Sequence, residues 1–550
     1  MTDMQAQSPD WWKGAVIYQI YPRSFQDTTG NGIGDLDGIR ERLDHVARLG
    51  ADAIWISPFV KSPMRDFGYD VSDYRAVDPL FGTMDSLKAL IAAAHERGLR
   101  VITDQVLSHT SSEHPWFLES RASRDNPRAD WYVWDDGKPD GSPPNNWISV
   151  FGGSSWQWEP RRGQFYLHNF LREQPDLNFH NPQVQEAVLE VCRFWLDLGV
   201  DGFRLDVCTF YAHDPELRDN PVNPDPPPGE VFAFNPYSKQ LHLHDIQQPE
   251  TVAFLQRLRQ LCDGYGDRVL LGELHESDAV NIHREYTAID RLHLAYGYWL
   301  LGAEEITPRL IRDLAAELGH DDDSGWPCWA VDNHDFKRAV TRLGAEEEPG
   351  KVSVILAALS CLRGALCLYQ GSELGLPEAE LAYEDIVDPY GREFWPIYKG
   401  RDGTRTPMPW QAEAAHGGFS AVRPWLPVPA AHLERAADRQ EADPASVLSQ
   451  LRSLLVWRRD QDPLRRGSLR FLDAPANVLA FERSSGGRTL TCLFNFSAVP
   501  TRMDLPPQSR GRPVEVPGLA GSCSAPDRAG GIDLDPYGTA FLSREEPDRG

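Results

Sequence analysis

The sequence has no hydrophobic run long enough to cross a membrane, since a spanning helix needs about 18 consecutive apolar residues. The opening residues 1–9 contain neither a basic stretch nor the apolar segment of a secretory signal. The eight cysteines are scattered and form no CxxC pair, and several lie inside apolar runs, which favours buried free thiols over disulfides. These absences together predict a cytoplasmic protein.

Positive charge is also scarce. The chain carries 55 Lys and Arg residues against 81 Asp and Glu residues, so its formal net charge is −26. This excess of negative charge argues against nucleic acid and anionic membranes as partners, and it is compatible with a neutral small-molecule ligand. At 550 residues the chain exceeds the size at which one core keeps growing, so two or three domains are predicted.

Strand-like apolar runs alternate with helix-like periodic stretches over most of the chain. Near-continuous apolar strands separated by helices are typical of a parallel sheet that is covered on both faces. Eight such runs predict an α/β fold of the (β/α)8 TIM-barrel type, and they span residues 15–20, 53–58, 101–104, 202–207, 269–274, 292–300, 328–332 and 365–370.

Two stretches depart from the strand–helix alternation. The third and fourth strands are separated by about 95 residues, too many for one helical crossover, so 105–175 is predicted to be an inserted domain. After about residue 466, short strands alternate with Gly, Pro and Ser turns, which is typical of a small antiparallel β domain. The predicted division is therefore 1–104 with 176–465 for the barrel, 105–175 for the insert and 466–550 for the β domain.

Four acidic residues stand at the ends of predicted strands. They are Asp104, Asp206, Glu273 and Asp335. A TIM barrel builds its catalytic site from side chains at the carboxyl ends of several strands. Because retaining glycoside hydrolysis needs two carboxylates facing one glycosidic bond, this pattern indicates glycosidase chemistry.

Four longer motifs point to one family. They are Trp11–Phe25 (WWKGAVIYQIYPRSF), Asp66–Tyr74 (DFGYDVSDY), Gln174–Phe179 (QPDLNF) and Gly400–Trp410 (GRDGTRTPMPW). In this order they resemble the α-amylase superfamily, glycoside hydrolase family 13, and within it the α-glucosidase and oligo-1,6-glucosidase branch. The resemblance implies a TIM barrel with domain B inserted after strand 3 and a C-terminal antiparallel β-sandwich.

The resemblance also implies the catalytic roles. Asp206 corresponds to the nucleophile, Glu273 to the general acid/base, and Asp335 to the group that binds the sugar hydroxyls at C2 and C3. Arg204 lies two residues before Asp206 on the same strand face, where its charge is expected to lower the pKa of that carboxyl. Asp104 is expected to pair with Arg204. Retention requires the Asp206 and Glu273 carboxyls to lie about 5–5.5 Å apart.

Further residues are expected to bind the terminal glucose. By resemblance, His334 shares the task of Asp335, His109 reaches the primary hydroxyl and Tyr69 stacks under the ring. Asp66 and Arg401 are expected to form an ion pair that closes the pocket to all but non-reducing ends. Arg405 is an alternative partner for Asp66.

Three residues bear on the acceptor and the linkage. Phe151 and Phe170 either line the acceptor site or belong to the core of the inserted domain. Val207 follows the nucleophile, and in the resembled branch a valine there often accompanies α-1,6 preference. The following residues Cys208–Tyr211 depart from the oligo-1,6-glucosidase pattern, which favours α-1,4 substrates.

A loop near the N-terminus resembles the single-ion loop of the same branch. Its candidate ligands are Asp27, Thr29, Asn31, Ile33 and Asp35, because oxygen ligands at alternating positions around glycines suit Ca²⁺. Only two of them are carboxylates, which predicts weaker binding or Mg²⁺. A turn without metal is the alternative. No cofactor is expected for the chemistry itself.

The sequence therefore predicts a retaining, exo-acting α-glucosidase that removes the terminal α-glucosyl unit of maltose-type oligosaccharides, with sucrose as a further candidate, and transfers it to water or acceptor hydroxyls. An oligo-1,6-glucosidase is one alternative, and a trehalose synthase or sucrose-type isomerase is another. A non-catalytic, transporter-associated subunit is disfavoured because the three carboxylates are intact and no membrane helix is predicted. The oligomeric state is open, with a homodimer as one alternative.

Overall fold

The computed structural model describes residues 10–225, 235–275, 279–319, 325–519 and 525–545. Eight parallel strands close into a barrel, each hydrogen-bonded to its neighbours in chain order, with the last strand paired to the first. The predicted (β/α)8 barrel is confirmed. Its strands are Val16–Ile20, Ala53–Ile56, Arg100–Gln105, Gly202–Leu205, Val269–Leu274, Leu294–Gly297, Trp326–Trp329 and Ala365–Tyr369.

Helices surround this barrel, and their ends follow from the local sequence. Asp35 and Thr83 cap helix starts by accepting backbone N–H bonds, while Gly50 and Gly199 end helices at φ of 95° and 102°, a region that glycine enters without strain. The longer helices are Leu36–Leu49, Met84–Glu96, Pro182–Leu198, Pro249–Asp263, Ala279–Tyr286, Pro308–Leu318, Pro349–Cys361 and Val447–Arg459. Shorter ones are Pro115–Ser120, Ala339–Arg342, Pro389–Phe394, Ala430–Glu434, Ala437–Glu441 and Asp462–Arg466.

The insert after the third barrel strand contains a three-stranded antiparallel sheet. Its strands, in spatial order, are Trp134–Asp135, Gln164–Leu167 and Trp156–Glu159. The sheet packs around a core of its own, made of Val133, Trp147, Trp156, Phe165 and Leu167. A two-stranded ribbon, Val60–Lys61 with Asp73–Val77, follows the second barrel strand.

The C-terminal domain is an antiparallel sandwich. A five-stranded sheet has the order Ser468–Phe471, Val478–Ser485, Arg488–Asn495, Thr539–Glu545 and Arg512–Pro513. A two-stranded sheet pairs Thr501–Asp504 with Gly531–Leu534. Side chains of both sheets share one apolar cluster that includes Leu493, Met503 and Ile532. Among all the residues that the structure describes, no helix combines the length and hydropathy of a membrane span.

Candidate active site

Arg204 is the centre of the charged group at the mouth of the barrel. It lies on the fourth strand, is fully buried, and its guanidinium is 4.9 Å from the ring centre of Trp55 inside the barrel. Its Nη1 donates to Asp104 at 2.8 Å and to Asp206 at 2.7 Å, and its Nη2 donates to Glu273. One guanidinium therefore holds the carboxyls of three successive strands together.

The pKa values of Asp206 and Asp104 are set by burial, by Arg204 and by the neighbouring carboxyls. Burial raises the pKa of Asp206 well above its ordinary value, and Arg204 lowers it without cancelling that effect. Burial likewise raises the pKa of Asp104 to about 6, again opposed by Arg204. The expected lowering of the Asp206 pKa by Arg204 is thus outweighed by the removal of water.

Asp335 is the most open of these carboxylates. Its side chain is 25% exposed, while Arg401 and Arg405 donate to its Oδ1 at 3.2 and 2.7 Å. Burial raises the pKa of Asp335, but His334, Arg401 and Arg405 together hold it well below the ordinary value. Asp335 is therefore an ionised acceptor that faces the opening of the site.

An ion-pair network lies beside Asp335. Arg401 donates to Asp66 at 2.8 Å and to Asp388 at 2.7 Å, and all three side chains are buried. Arg405, the alternative partner considered for Asp66, instead donates to Asp335 and to the carbonyl oxygen of His334. Because these charges are removed from solvent, the loss of one partner would leave an uncompensated buried charge.

Two neutral histidines complete this side of the site. Burial lowers the pKa of His334 to about 3 and that of His109 to about 4. His334 is stacked on the ring of Tyr69 at 5.4 Å and is hydrogen-bonded through Nε2 to the Tyr69 hydroxyl at 2.5 Å. His109 contacts Ser108 through Nδ1 and the carbonyl oxygen of Tyr69 through Nε2. Both rings can exchange hydrogen bonds without adding charge.

Aromatic side chains pack against His109 and Arg401. Phe170 packs with Val207 and Phe210 in one cluster and lies 5.1 Å from His109 between ring centres. Phe151 lies 6.1 Å from Phe170, and the Arg401 guanidinium is 5.4 Å from its ring centre. Phe170 therefore packs beside the carboxylates, in a cluster separate from the core of the inserted sheet.

Two family models match most of the chain. Residues 19–467 match the model of the α-amylase catalytic domain, and residues 469–540 match that of the maltogenic amylase C-terminal domain. The chain belongs to the α-amylase family. The chemistry of this family requires no cofactor.

Similarity to individual relatives extends over nearly the whole chain. It is 53% identical over 520 residues to a probable α-glucosidase of Rhizobium meliloti (strain 1021), covering 93% of each. It is 51% identical to the crystal structure of the α-glucosyl transfer enzyme XgtA, with a TM-score of 0.91 over 97% of this chain and 99% of that one. The trehalulose synthase MutB of Pseudomonas mesoacidophila MX-45 is 34% identical, with a TM-score of 0.85 over 97% and 99% of the two chains.

Three residues beside the carboxylates were not among the predicted site residues. Asp388 pairs with Arg401 from an irregular loop, Tyr298 donates to Glu273 at 3.1 Å, and Gln174 donates to Asp66 at 3.2 Å. Gln174 begins one of the family motifs, and Tyr298 follows the sixth strand directly, so motif membership and strand-end position were the available clues. Asp388 had neither.

In the candidate metal loop, the Asp27 carboxylate accepts hydrogen bonds from other groups of the protein. Oδ1 of Asp27 accepts N–H bonds from Thr29 at 2.9 Å and Gly30 at 2.8 Å, and its Oδ2 accepts from Gly32 at 2.8 Å and from the Ser420 hydroxyl at 2.6 Å. Both oxygens of this carboxylate are therefore already occupied by hydrogen-bond donors.

Two other candidate ligands, Asp35 and Asn31, also accept hydrogen bonds from protein donors. Asp35 accepts from Gly38 at 2.7 Å as a helix cap and from Thr28 at 2.8 Å, while Asn31 Oδ1 accepts from the N–H of Ile33 at 2.8 Å. Over the described ranges, no group of three or more His, Cys, Asp or Glu side chains is arranged to hold a metal ion. The carboxylates of Asp27 and Asp35 are thus satisfied by protein donors, and metal binding by this loop stays a prediction.

Proposed function

We propose that the protein is a retaining exo-α-glucosidase that cleaves the terminal non-reducing α-glucosyl unit of short, maltose-type α-1,4 oligosaccharides, with sucrose as a further substrate, and transfers it to water or acceptor hydroxyls. The observation that carries this proposal is the joint hold of Arg204 on Asp206 and Glu273 at the carboxyl ends of adjacent strands. The names of the relatives, a probable α-glucosidase and an α-glucosyl transfer enzyme, support it.

In this proposal the reaction takes two displacements. Asp206 attacks the anomeric carbon as the bond to the leaving oxygen breaks, and Glu273 gives its proton to that oxygen. Water or an acceptor hydroxyl then attacks the glucosyl ester from the opposite face while Glu273 takes back a proton. The second attack restores the α configuration and frees Asp206.

We assign binding of the glucosyl ring to the remaining polar residues. Asp335, ionised and facing the opening, accepts from the hydroxyls at C2 and C3, and His334 shares this contact. His109 reaches the primary hydroxyl, and Tyr69 lies under the ring. These bonds strengthen as the ring distorts toward the oxocarbenium-like transition state.

Exo action is proposed to follow from the Asp66–Arg401 pair. Arg401 is anchored on its other side by Asp388, so the pair forms a fixed end to the pocket. A chain cannot pass a closed end, and only a non-reducing terminus can enter. Charged hydrogen-bond partners at this end suit the outer hydroxyls of a terminal glucose.

The acceptor side is proposed to be formed by the inserted domain and the turn after the nucleophile. Phe151, Phe170 and Val207 supply an apolar wall there. We propose that 105–175 acts as domain B on the barrel of 1–104 and 176–465, and that 466–550 is a separate C-terminal domain. We further propose a cytoplasmic location. The seven cysteines in the described parts of the chain, which exclude Cys523, are buried free thiols. A homodimer stays a prediction.

Product analysis tests the proposed substrate class. The purified enzyme is incubated separately with maltose, sucrose, isomaltose, trehalose and soluble starch, and released glucose and transfer products are separated by chromatography. We expect turnover of maltose or sucrose with transfer products, and starch to stay intact, because the pocket admits only chain ends. Preference for isomaltose would instead support the oligo-1,6-glucosidase alternative, and conversion of a disaccharide to its isomer the isomerase. A rapid fall in starch viscosity would contradict the closed pocket.

Metal removal tests the loop at 27–35. Since its carboxylates are satisfied by protein donors, we propose that the loop folds without Ca²⁺ or Mg²⁺. We expect excess EDTA or added Ca²⁺ to change Tm by less than about 2 °C, whereas an ion present at 100 times its Kd stabilises by about 2.7 kcal/mol. Differential scanning calorimetry with and without each addition measures this. A large fall in Tm with EDTA, restored by Ca²⁺, would reinstate the metal site.

A further inference from the structure

The two oxygens of the Glu273 carboxyl accept different numbers of hydrogen bonds. Its Oε2 accepts from Arg204 Nη2 and from the backbone N–H of Val207 at 3.1 Å. Its Oε1 accepts from the hydroxyl of Tyr298 at 3.1 Å. A carboxylate offers about four acceptor sites, two on each oxygen. In the described part of the chain, three of these four sites are taken.

Neither of the two donors on Oε2 can act as a hydrogen-bond acceptor. A guanidinium and a backbone N–H have hydrogens to give and no lone pair to accept a proton. Val207 also has φ of 34° and ψ of 51°, a left-handed conformation that is rare for a β-branched residue and directs its N–H toward Glu273. The proton that Glu273 transfers is therefore excluded from Oε2 and belongs on Oε1.

Tyr298 is well fixed for its contact with Oε1. Its ring is held edge-on by His275 at 5.0 Å and by Phe336 at 4.8 Å between ring centres. Burial raises the pKa of Tyr298 well above its ordinary value, so the hydroxyl keeps its hydrogen at neutral pH. It thus occupies one site on Oε1 as a donor and leaves one site on that oxygen for the proton.

We infer that Tyr298 is a positioning residue that directs the transferable proton of Glu273 from Oε1 toward the leaving oxygen. As the glycosidic bond breaks, the Oε1–H proton passes to the leaving oxygen and the electron pair of the O–H bond stays on Oε1. The Tyr298 hydroxyl then donates to an oxygen that has become negative, and this bond strengthens. In the second step the acceptor returns a proton to the same site. This inference rests on the proposed role of Glu273.

The test compares Tyr298→Phe on two substrates that differ in their need for a proton. Maltose has a poor leaving group and requires one, whereas the 4-nitrophenolate of 4-nitrophenyl α-glucoside leaves almost unaided. We expect kcat/KM to fall about tenfold for maltose, the effect of one hydrogen bond to a charged group, and by less than about threefold for the nitrophenyl substrate. Loss of the hydroxyl also disfavours the ionised carboxyl, so the alkaline limb of the maltose profile moves to higher pH.

A matched control is Tyr265→Phe. That hydroxyl donates to Asp197 at 2.6 Å on an exposed surface, and its removal should change neither substrate nor profile. Equal losses on both substrates with an unshifted pH profile would overturn the inference, because a merely structural tyrosine would act in that way. Wild-type behaviour of Tyr298→Phe would overturn it as well.

Glu273→Gln separates this result from a failure of the proposed function. If that variant still cleaves maltose at the wild-type rate, Glu273 is not the acid, and both the proposed role and the inference fall. If Glu273→Gln is inactive on maltose while Tyr298→Phe matches the wild type, only the inference falls. A selective loss in Tyr298→Phe together with an inactive Glu273→Gln supports both.

Discussion

Asp206→Asn is expected to fold normally and to lose nearly all turnover, by about 10⁴-fold or more. The amide keeps the volume of the carboxyl but cannot form the glucosyl ester, so no first displacement occurs. Folding should be unaffected because Arg204 keeps Asp104 and Glu273 as partners. The assay is kcat on maltose and on 4-nitrophenyl α-glucoside, with thermal unfolding followed by circular dichroism.

The control for this variant is Asp313→Asn. Asp313 is exposed on the helix Pro308–Leu318 and pairs only loosely with Arg309 at 3.4 Å, so activity and Tm should match the wild type. Retained turnover in Asp206→Asn would refute the nucleophile assignment. An unfolded variant would instead mean that the carboxyl holds the barrel mouth together, and Asp206→Glu, which keeps a carboxyl but shifts it by one methylene, would then serve as the second test.

Azide tests the assignment of Asp206 as the nucleophile by the structure of the product as well as by the rate. In Asp206→Gly the missing side chain leaves room for an anion beside the anomeric carbon. With the nitrophenyl substrate, azide is expected to displace the leaving group in one step and give the β-glucosyl azide, because a single displacement inverts the anomeric centre. Nuclear magnetic resonance distinguishes the anomers. An α product would show that another nucleophile is still present.

Glu273→Gln is expected to lose about 10²- to 10⁴-fold on maltose, the usual contribution of general acid–base catalysis. The amide oxygen can still accept from Arg204 and Val207, so the fold should persist. The amide has no proton to give to the glucose that leaves. With 4-nitrophenyl α-glucoside the first step needs little acid, so a burst of nitrophenol should precede slow turnover.

Azide also distinguishes the acid/base role of Glu273 from the nucleophile role of Asp206. In Glu273→Gln the nucleophile is intact, so azide should resolve the glucosyl-enzyme and give the α-glucosyl azide after two displacements. Glu317→Gln, on the exposed face of the helix Pro308–Leu318, is the matched control and should behave as the wild type. If azide yields the β anomer, or if no burst is seen, the acid/base assignment to Glu273 fails.

Much of the fold could be predicted because it depends on local patterns of apolar residues in the sequence. Apolar runs marked the eight barrel strands. The sixth strand is shorter than predicted, since 292–300 was predicted and Leu294–Gly297 is observed. The seventh strand is displaced, since 328–332 was predicted and Trp326–Trp329 is observed. Ala330 and Val331 are as apolar and buried as a strand, but with Asp332 they lead out of the barrel toward the site. Burial alone does not mark where hydrogen bonding to the neighbouring strand stops.

The sequence by itself determined the family, the barrel and the strand ends that carry Asp206, Glu273 and Asp335, because these depend on periodicity and on short contiguous motifs. Only the tertiary structure decided which charges meet. It paired Arg405 with Asp335, and it let burial outweigh the guanidinium in setting the pKa of Asp206. Such pairings join residues far apart in the chain, and the cost of removing water from them exists only once the fold has enclosed them.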